Sequence, residues 1–155
     1  MHEPPLHIAL YQPEVPPNTG NAGRLALALG LRLHVIHPIP FQMDEKAVRR
    51  AGLDYWKHVD LVEHATPDAF WAWAEGRRVH VFSARGAACY TRAEFQAGDV
   101  LLFGPESVGL PSEILDRFTA WRIPIPGPVR SLNLSNAVAI IAYRAMESIQ
   151  PELFA

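Results

Sequence analysis

The chain has 155 residues, 49% of them hydrophobic and 19% charged, with a formal net charge of −2. That is the balance of one soluble globular domain with room for a real core, and it excludes a global field for nucleic acid, so any RNA contact must use a local basic patch. The single cysteine, Cys89, excludes an internal disulfide, and without a CxxC or Cys/His cluster no metal site is expected.

The opening MHEPPLHIALY lacks a charged segment followed by a long apolar core, and no apolar run approaches membrane length, so a cytoplasmic domain without a membrane partner is expected. Residues 6–11 (LHIALY) predict a strand and residues 21–30 (NAGRLALALG) a helix closed by Gly30. A second strand follows at 31–38, a short helix at 44–52 ending at Gly52, and a weaker strand at 58–64. Residues 66–76 predict a helix with Thr66 as N-cap, Pro67 in the first turn and Gly76 past the end. Then come a strand at 78–84, a turn near TRAEF, a strand at 99–104, a helix at 111–118 and a strand at 121–126. The last helix opens within RSLNLSNAVAIIAYRAM, which starts at Arg130. AVAIIA (137–142) is apolar all round, which predicts a buried helix rather than an amphipathic one. Strand–helix alternation argues an α/β fold with a mostly parallel sheet flanked by helices. Residues 1–155 show no repeat, low-complexity tract or linker, so one domain is expected.

Ligands in such sheets sit beyond the carboxyl ends of the strands. Three loops lie there: PEVPPNTGNAGR after the first strand, GPESVGLP after the fifth and PGPVRSLNLSN after the sixth. Their glycines admit close backbone approach, and the helices that follow offer free N–H groups. There is no GxxxxGK[ST], and GNAG at 20–23 has neither the spacing nor the acidic partner of a dinucleotide fingerprint. A ligand read by backbone groups and apolar walls, such as an adenosyl group, fits better. Ser107 in GPESVG lacks a GxSxG elbow and has no placed Asp and His, which argues against a hydrolase.

Taken together, PPNTGNAGR, LLFGPESVGLP and IPIPGPVRSLNLSNAVAI resemble, in order, the three motifs of the SPOUT-type RNA 2′-O-ribose methyltransferases. RRAGLDYW (49–56) resembles the compact subgroup that methylates the wobble nucleotide of tRNA, position 34, at cytidine or modified uridine. The resemblance covers nearly the whole chain. It implies a C-terminal deep trefoil knot, against the general rarity of knots, a homodimer, and S-adenosylmethionine as cofactor.

By that resemblance the cofactor lies among Phe82, Gly104, Ile123, Ser131 and Leu132, with Phe82 carried over only by its place at a strand end. A buried polar helix start needs partners, since each unpaired group costs on the order of 1–3 kcal/mol. Ser131 can meet the cofactor, while Asn133, Ser135 and Asn136 cap the last helix; for Ser135 and Asn136 pure capping is an equal reading. Methyl transfer to a ribose hydroxyl needs alignment, worth roughly 7–11 kcal/mol at its upper end, and help in losing a proton. The resemblance assigns the proton problem to Arg24. A guanidinium is a fork of donors without an acceptor, so stabilising an alkoxide or holding the adjacent phosphate is easier for it than general-base work. Tyr143 matches a position linked to activity, or else is an aromatic core residue with a bonded hydroxyl.

Asn18 is expected to cap the first helix and shape a loop at Gly20, with Glu106 and Gly109 supporting the site from the second motif. Glu106 accepts backbone N–H bonds or meets the dimer partner. Lys46, Arg49 and Arg50 beside LDYW form the best basic patch for a tRNA anticodon loop, which Arg77, Arg78, Arg85 and Arg130 could widen. Gly23 replaces the larger apolar residue frequent in the family and is expected to loosen the first turn. His34 and His37 are expected to be satisfied locally, and Trp71 and Trp73 to be core or interface aromatics. A ribosomal RNA substrate and a non-catalytic RNA- or nucleotide-binding domain remain as alternatives.

Overall fold

Among the described residues, seven strands form one sheet: β1 (His7–Tyr11), β2 (Arg32–Ile36), β3 (Asp60–His64), β4 (Val79–Phe82), β5 (Ala88–Cys89), β6 (Val100–Phe103) and β7 (Ala120–Arg122). The structure is a computed structural model that describes residues 3–44, 46–49 and 55–155. The strand order is β3-β2-β1-β6-β4-β7-β5, and every pairing is parallel. The chain first builds outward from β1 to β3, then crosses to the other half. Its order therefore reverses at the β1–β6 boundary, where such sheets hold ligands.

Parallel sheets are covered on both faces, which is why the strands read as near-continuous apolar runs. Ile8, Leu10, Leu33, Leu101 and Phe103 meet α1 (Pro16–Leu29) and α5 (Leu134–Ile149) on one face. Ala9, Ile36, Val81 and Leu102 meet α3 (Pro67–Ala74) and α4 (Ser112–Arg117) on the other. A short helix, α2 (Lys46–Arg49), packs on α1. No described helix is long and apolar enough to cross a membrane.

Local end signals hold where they are local. Gly30 closes α1 at φ 72°, with Leu31 N–H returning to the Ala26 carbonyl. Thr66 caps α3 through Oγ1, which accepts from Ala69 N–H at 3.1 Å. Other expectations change. α1 begins at Pro16, not at residue 21, so Gly20 stands inside the helix rather than in a loop. β7 stops at Arg122 because Pro124 and Pro126 have no ladder donor. The turn near TRAEF follows a two-residue strand, β5, that the sequence did not signal. Of the expected helix 44–52, Lys46–Arg49 is helical, and 50–52 lie outside the described residues. α5 is not buried all round: Ile140 and Tyr143 face outward, 37% and 46% exposed, so the apolar run is amphipathic in use.

A chain of histidines runs under α3. His7 Nδ1 lies 2.8 Å from His34 Nε2, and His34 Nδ1 lies 2.9 Å from His64 Nε2. Glu3 Oε1 meets His7 Nε2 at 2.6 Å and accepts from Arg77 Nη1 at 2.6 Å. The Glu3 carboxylate only accepts, so neutral rings pass donors in one direction, each Nε2–H pointing towards Glu3. Trp73 packs against all three rings. His34 is thus satisfied, by partners 27 and 30 residues away, while His37 meets Glu63 at 2.8 Å.

Burial lowers all three histidines, His34 to about 2, with Glu3 opposing the shift at His7 and the charges of Arg32 and Arg77 adding to it at His7 and His34. Unfolding frees each ring to bind a proton near its ordinary value of about 6.5. Their contribution is therefore complete above pH ~6.5 and is lost as pH falls, with a slope approaching about 1.4 kcal/mol per pH unit for His34. Glu3, held at about 2 chiefly by the His7 and Arg77 hydrogen bonds, acts at lower pH. The urea midpoint should fall steadily from pH 6.5 to pH 5; a flat midpoint over that range would contradict the neutral histidine chain.

Candidate active site

Beyond the carboxyl ends of β4, β6 and β7 lies a cavity of about 760 Å³. Phe82 ends β4 and stacks on Phe103 of β6, centroids 5.1 Å apart. After β6 the chain doubles back so tightly that a Cβ on Gly104 would lie 2.5 Å from Leu110 N, and Gly109 N–H donates to the Pro105 carbonyl. Gly109 sits at φ 70°, a conformation that favours glycine. This folded-back loop forms one wall, and residues 121–125 and 130–134 form the others.

The five residues assigned to a cofactor by resemblance, Phe82, Gly104, Ile123, Ser131 and Leu132, all line this one cavity. So do Asn18, Glu106, Gly109 and Asn133. Arg24 and Tyr143 do not belong to its wall: both are exposed, Arg24 on α1 and Tyr143 beside Phe154 on the outer side of α5. Tyr143 is accordingly not a core aromatic. Arg85 and Arg130 are exposed and line the cavity. Arg77 and Arg78 flank the start of β4, at the opposite end of the strands, and are committed to Glu3 and Asp99. They do not extend the patch. Lys46 is exposed on α2, Arg49 belongs to the same helix, and Arg50 lies outside the described residues.

The three motif loops are joined by one polar junction. Glu106 accepts from Glu14 N–H at 2.7 Å, Val15 N–H at 3.0 Å and Asn18 Nδ2 at 3.1 Å. Asn18 Oδ1 accepts from Asn133 Nδ2 at 3.0 Å. Asn133 in turn caps α5, its Oδ1 accepting from Ser135 N–H and Asn136 N–H. Capping is therefore Asn133's work, with Ser135 and Asn136 supplying the donors. Asn18 does not cap α1. The cap position is Val15, followed by Pro16 and Pro17, which bring no N–H to satisfy. Glu106, from a distant loop, supplies the negative charge that a helix start favours.

Glu14 completes a second clasp that sequence reading missed. Its carboxylate accepts from Ser107 N–H and from the Ser107 hydroxyl, at 2.8 Å each, and these bonds lower its pKa. The Ser107 hydroxyl is thereby a donor to a carboxylate, not a nucleophile activated by a base. The only advance signal was an acidic residue in one motif loop and a serine in another.

Phe82, Phe103, Leu110, Trp121, Ile123 and Ile125 give the cavity apolar walls, while the 104–110 and 130–134 segments edge it with peptide groups. Its volume is in the range of about 300–1,000 Å³ usual for small-molecule sites. Flat apolar walls with a peptide edge suit a nucleoside. The wall offers no dense cluster of cations for a triphosphate.

Residues 5–143 match the model of the SpoU rRNA Methylase family. The chain is 45% identical over 141 residues to the tRNA (cytidine(34)-2'-O)-methyltransferase of Methylovorus glucosotrophus, covering 89% of this chain and 92% of that one. A solved structure described as giving structural insights into the 2-OH methylation of C/U34 on tRNA superposes with a TM-score of 0.89 at 54% identity, covering 92% of this chain and 95% of that one. An AdoMet-bound rRNA methyltransferase from Sinorhizobium meliloti superposes with a TM-score of 0.83 at 26% identity, covering 94% of this chain and 57% of that one.

The junction makes a direct prediction. Glu106→Ala leaves three donors without their acceptor, and should lower the unfolding free energy by about 1–3 kcal/mol in urea titration. Glu106→Gln, which keeps one acceptor oxygen, should cost less. Unchanged stability in both would show that the junction does not hold the loops.

Proposed function

The chain belongs to the SpoU rRNA Methylase family, and on that premise we propose that it transfers a methyl group from S-adenosylmethionine to the ribose 2′-hydroxyl of the wobble nucleotide of tRNA, cytidine or modified uridine at position 34. The observation that carries this reading is the convergence of Phe82, Gly104, Ile123, Ser131 and Leu132, from four separate segments, on one cavity. The tRNA specificity is supported by relatives covered along nearly their whole length.

The residues present fit the cofactor. Apolar walls from Phe82, Leu110 and Ile123 take the adenine, and peptide groups of 104–110 and 131–134 read its edge and ribose. When bound, the cofactor supplies an electrophilic methyl group. Everything else falls to the chain. The folded-back loop, locked by Gly104 against Leu110, keeps the cavity preformed, so alignment is not bought again at each turnover. Arg85 and Arg130 offer cations at the cavity for anionic groups of cofactor or RNA.

Arg24 acts from outside the cofactor wall, on the RNA side, where its fork meets the ribose oxygen as the proton leaves or the neighbouring phosphate. Lys46, exposed on α2, is the described part of the basic patch proposed to receive the anticodon loop; Arg49, in the same helix, and Arg50, outside the described residues, are assigned to that patch from the sequence. A homodimer is part of the reading. It is supported by outward apolar residues at Ile140, Tyr143, Leu153 and Phe154, which a second copy would cover. So is the C-terminal trefoil knot, supported by the way 104–110 and 130–134 close round the same cavity.

The test is transfer of labelled methyl to total small RNA, with the modified nucleotide mapped. The wild-type chain should label the ribose of nucleotide 34 of tRNA. Arg24→Ala should reduce kcat about 100-fold or more with cofactor Kd nearly unchanged, and Arg24→Lys should not rescue it, because the planar fork is lost. Label confined to ribosomal RNA fragments would contradict the substrate. Cofactor binding without label in any RNA would contradict the enzyme.

A further inference from the structure

On α1, Gly20, Gly23 and Arg24 share one face, at spacings of three and four residues. The two glycines leave that face flat, and Val48 and Trp56 are seated on it. The Val48 carbonyl oxygen occupies the place of a Gly20 Cβ, 2.1 Å from its ideal position, and the Trp56 ring comes within 2.4 Å of where a Gly23 Cβ would be. Gly23 therefore does not loosen the first turn. It sits well inside α1 and makes room for Trp56.

Tyr55 is held in this seat at two points. Its hydroxyl donates to the Gly20 carbonyl at 2.9 Å, the carbonyl that α-helical geometry also pairs with the amide of Arg24. Its ring is braced edge-on by Trp56, centroids 6.3 Å apart at 78°. Over the ring lies the Arg24 guanidinium, its Cζ 5.8 Å from the centroid. That is within the range of cation–π attraction. Burial pushes the Tyr55 hydroxyl up, against the opposing charge of Arg24, so the ring presents a neutral π face and a proton donor.

We infer that Tyr55 is a positioning residue for Arg24: its ring, anchored to Gly20 by the hydroxyl, fixes the guanidinium in the orientation used during methyl transfer. Arginine carries many rotamers, and a side chain ordered in advance is not ordered at the transition state. The ring is suited to the task because its face attracts a planar guanidinium without the full charge of a carboxylate. The helix α2, which carries Lys46 and Arg49, packs on α1 as well, so the proposed RNA surface and Arg24 share one support. The inference rests on the role proposed for Arg24.

Tyr55→Phe keeps the ring and loses the anchor, whereas Tyr55→Gln keeps a donor for Gly20 and loses the π face. Both are compared with wild type and Arg24→Ala in kcat, KM for tRNA, and cofactor Kd. Tyr55→Phe should stay within about threefold of wild-type kcat. Tyr55→Gln should lose about tenfold, with tRNA KM and cofactor Kd within about twofold, the unchanged Kd reporting an intact fold. Three results would overturn the inference: wild-type kcat in Tyr55→Gln, an equal kcat loss in both variants, or a raised tRNA KM with kcat intact, which would make the ring an RNA contact. If Arg24→Ala keeps wild-type kcat, the Arg24 reading fails first and takes this inference with it, and the two failures are told apart by that single variant.

Discussion

The carboxylate of Glu106 holds together three parts of the chain that carry the site. It accepts the backbone N–H groups of Glu14 and Val15 at the start of α1 and the side-chain amide of Asn18, which passes the connection to Asn133 and the start of α5. Two helix starts and one folded-back loop thus share one acceptor-rich junction. Asn18, Asn133 and Glu106 would otherwise present unmet polar groups at the cavity wall, so the pieces are stable together and costly apart. The Glu14–Ser107 clasp repeats the connection in the opposite sense, loop to loop.

The sheet decides where that junction can be. Parallel strands with a reversal at the β1–β6 boundary bring the loops after β1, β6, β4 and β7 to one end of the molecule. The opposite end is occupied by ion pairs, Arg77 with Glu3 and Arg78 with Asp99, which tie the strand starts together. One end is knit by salt bridges. The other is left concave, lined by peptide groups and aromatic rings, and suited to hold a nucleoside.

What could be read in advance was what is local. Alternating strands and helices, the Gly30 end, and the Thr66–Pro67 start depend on neighbours within a few residues, and the structure has them. The cavity set is legible residue by residue only because three motifs in order point to it; composition and strand order alone indicate the three loops and a ligand read by backbone groups, not which residues line its site. What was misread depends on long-range partners. Asn18 reads as a cap from its neighbours alone, whereas the acceptor for the α1 start sits 88–92 residues away on Glu106. Gly20 and Gly23 looked like loop and looseness, yet their reason is the close approach of Val48 and Trp56. Ile140 reads as buried and Tyr143 as a core aromatic or an activity-linked residue, yet both face outward, since an apolar residue reads the same whether it faces a core or the outside. The His7–His34–His64 chain exists only in the parallel register that stacks three separate strands.

The central claim is that the cavity bounded by 104–110, 121–125 and 130–134 receives the methyl donor. A crystal structure of the complex with S-adenosylhomocysteine tests it most directly. The account predicts the adenosyl group between the folded-back loop and Ile123, with Ser131 and Leu132 at its edge and the Glu106–Asn18–Asn133 junction intact. An adenosyl group bound elsewhere on the chain, or none at saturating concentration, would contradict it.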